Sequence, residues 1–134
     1  MGVFSVEIKM TNLFDRFRPE SEQGSDVECE ALVDSGAAEL ALPAEIVETL
    51  KLEPLDTINV VTADGGQHEY RVCGMVELEV HSRRCHVRAI ETPRGTKPLL
   101  GAIPLEETDW HISPMEKKLL PNPKSPEKPL IPLC

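Results

Sequence analysis

Aromatic residues are scarce in this chain of 134: three Phe, one Tyr and one Trp, 4% of the sequence. Nucleic-acid bases stack on aromatic faces, so this composition leaves little material for a single-strand binding platform. Positive charge is also short, with 14 Lys and Arg against 23 Asp and Glu and a formal net charge of −9. Such a field repels phosphate backbones and anionic lipid heads, which argues against nucleic acid and membrane as partners. No stretch approaches the roughly 18 apolar residues of a membrane span, and the N-terminus lacks a basic region followed by an apolar run and a cleavage site. The expected location is therefore cytoplasmic. Cys29, Cys73, Cys85 and Cys134 include no CxxC pair, which argues against a zinc knuckle or a disulfide framework and for reduced thiols.

What is present is ordinary for a globular protein: 40% hydrophobic and 28% charged residues, in a length that suits one core. With so few rings, that core must be aliphatic. Alternation at period two predicts a strand over Val3–Met10, with Phe4, Val6, Ile8 and Met10 on one face, and another over Val27–Val33, with Val27, Cys29, Ala31 and Val33 together. The polar, turn-rich stretch between them, residues 11–26, reads as a long loop. A short strand over Glu39–Leu42 leads to Pro43 and one convincing helix, Ala44–Leu50, with an apolar face of Ile46, Val47 and Leu50.

Further on, Ile58, Val60 and Thr62 enter the turn Asp64-Gly65-Gly66, and Tyr70 and Val72 leave it, a hairpin with a glycine tip. A second hairpin places Val76, Leu78 and Val80 opposite Cys85, Val87 and Ala89. Pro98–Leu100 reads as a short strand ending at Gly101, Ala102–Thr108 as a helical turn limited by Pro104, and Trp110–Ser113 and Lys117–Leu120 as final strands. Five prolines from Pro121 to Pro132 then argue for an extended or disordered tail. The expectation is an all-β, small closed barrel with one short helix over residues 1–120, followed by a proline-rich tail over 121–134.

The chemistry centres on Asp34. A carboxylate at the end of an apolar strand is costly unless it is used or satisfied. Gly36 lets the backbone bring amide donors toward it, and the Ser35 hydroxyl can bond another backbone. The order of elements is strand, Asp34-Ser35-Gly36-Ala37, short strand, helix, glycine-tipped hairpin, second hairpin, then Leu99-Leu100-Gly101 and a helical turn. In that order and in those two motifs the chain resembles the retropepsin-like aspartic peptidases over roughly residues 3 to 120.

The resemblance implies a catalytic Asp34 in a loop supported by Ser35, Gly36 and Ala37. It also implies a flap tip at Asp64, Gly65 and Gly66 over the substrate, and Leu99, Leu100 and Gly101 packed beside the catalytic loop. Only one such aspartate occurs, whereas the chemistry takes two carboxylates sharing a proton. The implied enzyme is thus a two-fold homodimer cleaving peptides or proteins, with no metal or organic cofactor. Ala38 and Glu39 depart from the pattern of many relatives, and Glu39 adds negative charge near the pair.

Other readings compete. A non-catalytic binding or assembly module could keep the same fold and dimer. His81, Cys85 and His86 flank one turn and invite a metal site, although a surface histidine beside a core thiol explains the same letters. The tail could bind a partner as polyproline or lie in the groove through Leu130-Ile131-Pro132-Leu133, where plain disorder is the simpler account.

Overall fold

The computed structural model describes residues 4–124, 126–131 and 133. Nine strands and two short α-helices follow one another as β1 (Phe4–Asn12), β2 (Val27–Val33), β3 (Leu40–Pro43), α1 (Ala44–Leu50), β4 (Glu53–Val61), β5 (Gln67–Val80), β6 (Arg83–Thr92), β7 (Leu99–Leu100), α2 (Ala102–Thr108), β8 (Trp110–Ser113) and β9 (Lys118–Pro121). The strands neighbour one another as β1-β2-β7-β3-β6-β5, and β5 pairs back onto β1. Six strands thus close a ring, which leaves no unpaired edge within it. β4 lies outside, bonded to β5 alone as the arm of a hairpin, and β8 and β9 form a separate two-stranded sheet.

The alternation of the sequence fixes the faces. Val6, Ile8 and Met10 of β1 point inward with Ala31 and Val33 of β2, and they meet Val76, Leu78 and Val80 of β5 and Val87 and Ala89 of β6. Register holds this arrangement, because Ile8 stands opposite both Cys29 and Val80; a slip of one residue would turn every inward chain to water. Each fully buried aliphatic chain contributes about 1.5–3 kcal/mol of transfer free energy. α1 lays Val47 and Leu50 on this core. Pro43 stands one position before its first turn, as the N-cap, with φ −65°.

Three segments differ from the sequence expectation. The 11–26 stretch is more ordered than a loop: β1 runs on to Asn12, and two 3-10 turns follow at Leu13–Phe17 and Glu20–Glu22. The cause is the buried Asn12 side chain, which donates to the carbonyls of Leu50 at 3.0 Å and Lys51 at 2.8 Å and accepts the Phe14 amide at 3.0 Å. It caps the end of α1 from a distant strand. Next, the returning arm of the first hairpin and the outgoing arm of the second are one 14-residue strand, β5. Finally, Ala102–Thr108 is a second helix, since Pro104 falls in its first turn, where no amide is needed. The strand expected from Val3 is described only from Phe4 onward; Val3 lies outside the described residues, as do Ser125, Pro132 and Cys134 of the tail. No described helix is long and apolar enough to cross a membrane.

Cys29, Cys73 and Cys85 carry no disulfide; the fourth thiol of the sequence reading, Cys134, is outside the described residues. Burial pushes the Cys73 thiol up to about 11 and the Cys85 thiol up to about 12 from the ordinary 9.0, with Glu91 and Glu107 respectively adding repulsion. A folded-state value above the unfolded one means that the native state holds the proton more tightly. That contribution is therefore whole below pH 9.0 and is lost as pH rises through about 11 and about 12. We expect the urea midpoint to fall steeply over that alkaline window, and the fall to be shallower in Cys73→Ala/Cys85→Ala. An equally steep decline in the double variant would place the proton uptake elsewhere.

Candidate active site

The inward face of β2 is apolar up to Val33, and the strand delivers Asp34 to the surface at the rim of the barrel, where its side chain is half-buried. The backbone turns at once. The Asp34 carbonyl accepts the Ala37 amide at 3.1 Å, and its carboxylate Oδ1 accepts the Gly36 amide at 2.9 Å. This is an Asx turn, in which the aspartate side chain bonds the backbone two residues on. One carboxylate oxygen is thereby oriented by Gly36. Ser35 is exposed, and its hydroxyl has no partner among the described residues.

The turn is gripped from outside by the 98–103 segment. β7 lies between the strands that flank the turn, parallel to β2 through Leu32↔Leu99 and Val33↔Leu100 and antiparallel to β3 through Leu40↔Leu100 and Ala41↔Leu99. The Leu32 amide reaches the Pro98 carbonyl at 2.9 Å and the Asp34 amide reaches the Leu100 carbonyl at 3.1 Å. The chain then enters α2, whose first amides turn back on the loop. Ala102 donates to the Ala37 carbonyl at 2.9 Å and Ile103 to the Ala38 carbonyl at 2.8 Å.

Gly101 is what lets these backbones touch. A Cβ there would stand 2.5 Å from the Glu39 oxygen, 2.7 Å from the Ala37 oxygen and 2.8 Å from the Ala38 carbonyl carbon. No side chain fits. The structure therefore brings together two of the sequence-derived groups, the Asp34-Ser35-Gly36-Ala37 turn and Leu99-Leu100-Gly101, by direct backbone contact.

The third group sits apart, at the end of the β4–β5 hairpin. Gly65 adopts φ 84°, a left-handed conformation that glycine takes without strain. The Thr62 amide bonds the Gly66 carbonyl at 2.9 Å, and the Asp64 carboxylate accepts the Gly66 amide at 2.9 Å and the Thr62 hydroxyl. The Thr62 hydroxyl and then the Gly66 amide hold the Asp64 carboxyl below its ordinary range. This arm carries exposed Leu55 and Val61 on a strand that no second neighbour covers.

Glu39, read from the sequence as a like charge beside Asp34, is occupied elsewhere. Its carboxylate takes a two-point bond from Arg88 on β6, Nε to Oε1 at 3.1 Å and Nη2 to Oε2 at 2.9 Å. The fork geometry fits guanidinium to carboxylate and compensates the charge. The Glu39 bond and charge, in that order, raise the Arg88 value above its ordinary one. Sequence reasoning missed Arg88 because its position on β6 reads only as the polar member of an alternating strand. The signal that brings it to Glu39 is the parallel pairing Leu40↔Ala89, which no local pattern encodes. The amides of Ala102 and Ile103 were missed for the same reason.

The residues that invited a metal do not converge. The His81 ring packs edge-on against Trp110 at 5.5 Å, His86 stands 3.3 Å from Glu77, and Cys85 is buried. Among the described residues no group of three or more His, Cys, Asp or Glu could hold a metal ion.

Comparison with known proteins gives two findings. A family model described as "gag-polyprotein putative aspartyl protease" matches residues 23–107, more than half of the chain and inclusive of the Asp34 turn, the hairpin and Gly101. Among solved structures, the solution structure of the Simian Foamy Virus (mac) protease matches with a TM-score of 0.51 at 18% identity, covering 76% of this chain and 91% of that one. No curated protein matches the chain significantly.

Proposed function

The chain belongs to the gag-polyprotein aspartyl protease family, and on that premise we propose that it is an aspartic endopeptidase acting as a two-fold homodimer, with one Asp34 from each copy in the active centre. The observation that carries the proposal is the Asp34 turn: an accessible carboxylate with one oxygen oriented by the Gly36 amide, held in a loop clamped by Leu100, Ala102 and Ile103.

The mechanism follows from what two facing carboxylates do. Held together, they share one proton, because both cannot ionise at short range. The charged one takes a proton from a water molecule as its oxygen attacks the scissile carbonyl carbon, and the protonated one gives its proton to the carbonyl oxygen. Collapse of the tetrahedral gem-diol then breaks the C–N bond: the carboxyl that gained the water proton passes it to the departing amine, while the other carboxylate takes a hydroxyl proton from the diol, which leaves the product acid and a pair that again shares one proton. No acyl-enzyme forms and the chemistry calls for no cofactor. The pair titrates as one unit.

The remaining residues have supporting roles in this reading. Gly36 and Ala37 fix the carboxylate, the exposed Ser35 hydroxyl bonds backbone across the dimer, and Leu99, Leu100 and Gly101 set the height of the loop. The Asp64-Gly65-Gly66 tip closes over an extended peptide. Residues 1–120 make up the peptidase unit, with 121–134 as an accessory tail. A cytoplasmic location suits thiols that carry no disulfide.

Cleavage of a diverse peptide library from acidic to neutral pH, at a series of protein concentrations, tests this reading. We expect specific activity to rise with concentration until the dimer saturates. A well-folded dimer that cleaves nothing at any pH would instead favour the non-catalytic module.

A further inference from the structure

Gly66 leaves a notch near the end of the β4–β5 hairpin. A Cβ placed on it would stand 3.1 Å from Asp64 Oδ1, 3.2 Å from His68 Nε2 and 3.6 Å from Thr62 Oγ1. Three polar atoms thus ring the space that a side chain would have filled. All three can accept hydrogen bonds, the imidazole nitrogen while its ring is neutral. Asp64 brings charge to this rim. Its Oδ1 accepts the Thr62 hydroxyl and the Gly66 amide, whereas Oδ2 has no partner among the described residues. The Thr62 hydroxyl and then the Gly66 amide also hold the carboxyl below its ordinary range, so it stays ionised further into acid.

The notch opens on the better covered face of the hairpin. Pairing of Ile58 with Tyr70 and of Val60 with His68 puts these four side chains on the face of Gly66. Ile58, Val60 and Tyr70 are half-buried, whereas Asn59, Val61 and Glu69 on the opposite face are exposed. The His68 and Tyr70 rings stack there, with centroids 5.8 Å apart and planes 16° from parallel. We propose that this notch receives the ammonium or guanidinium group of a substrate Lys or Arg, with Asp64 as the residue that selects it; this rests on the peptidase and flap reading above.

The chemistry of the rim selects that ligand. Acceptors around a carboxylate call for a positively charged donor. Asp64 and His68 are too few to hold a metal ion, and among the described residues no group of three or more such ligands occurs. A long basic side chain also has a stem to bury, and the stacked rings beside Val60 offer it a surface on the same face. The net charge of −9 enriches cationic peptides around the molecule before they bind.

Asp64→Asn tests the inference, because the asparagine Oδ1 still accepts the Gly66 amide and the Thr62 hydroxyl while the charge is gone. Peptides that wild type cleaves are remade in pairs, with Lys or the uncharged norleucine at each position flanking the scissile bond. Both enzymes are assayed at the highest pH at which wild type still cleaves, where His68 is least protonated. At one position or more, wild type is expected to favour the Lys peptide about tenfold in kcat/KM, the scale of one hydrogen bond to a charged group. Asp64→Asn should cleave both members at the norleucine rate. A wild type without preference, a variant that keeps the preference, or a variant that loses both peptides equally overturns the inference while the peptidase reading stands. A wild type that cleaves no peptide at all overturns that reading, and the inference with it.

Discussion

Asp34→Asn is expected to fold and dimerise normally while losing about a thousandfold or more of its peptide cleavage, the scale of general acid–base contributions. At about 1.36 kcal/mol per decade that is ~4 kcal/mol of barrier. The substitution is informative because the asparagine Oδ1 still accepts the Gly36 amide, so the turn keeps its shape. What disappears is the ability to ionise and to hold a shared proton. The side chain is half-buried rather than sealed, so little stability should be lost, and the thermal midpoint should stay within a few degrees. Cleavage close to that of wild type would remove Asp34 from the mechanism and with it the reading of the whole site.

The second large effect is expected at Gly101. Alanine there forces a methyl group into three backbone atoms of the Asp34 turn, between 2.5 and 2.8 Å away. Backbone cannot swing aside as a flexible side chain does, so β7 or the turn must shift. A cost of about 3 kcal/mol follows from overpacking of this kind, read as a fall of roughly 10 °C in thermal midpoint for a domain of this size. Gly24→Ala is a useful comparison, since its methyl would press on the Leu50 carbonyl, far along the chain from the turn. Both variants should be less stable. At a temperature where both remain folded, only Gly101→Ala should have lost cleavage; equal activity loss in the two would mean that Gly101 acts through general stability alone.

The barrel strands were legible in the sequence because one face of each is buried. Val6, Ile8 and Met10, or Val76, Leu78 and Val80, announce a period of two, and the structure buries those residues. The Asp34 turn was legible for a different reason: a carboxylate at the end of a strand with one apolar face, followed by Ser35 and then Gly36, is chemically conspicuous. What remained hidden were pairings made at long range. Asn12 reaching the end of α1, Arg88 reaching Glu39 and Asp109 receiving Leu130 each join residues that local periodicity treats as unrelated. The second helix was underread because Pro104 looks like a breaker, whereas in a first turn it costs no hydrogen bond. In the tail, Pro121 ends β9, the described residues after it form no helix or strand, and Asn122 and Leu130 bond the buried Asp109 carboxylate at the end of α2.

The placement of β7 has a consequence for how the protein comes into being. Only two residues long, it is wedged between β2 and β3, so that Leu32 and Val33 await partners made much later in synthesis. Closing so long a loop is entropically slow, and contacts of this kind lengthen folding times. On the ribosome, the Asp34 turn is complete in sequence early but has no clamp until Leu100 and Ile103 have emerged. A nascent or truncated chain would thus carry the aspartate without a formed site, which delays any proteolytic competence until nearly the whole barrel has been made.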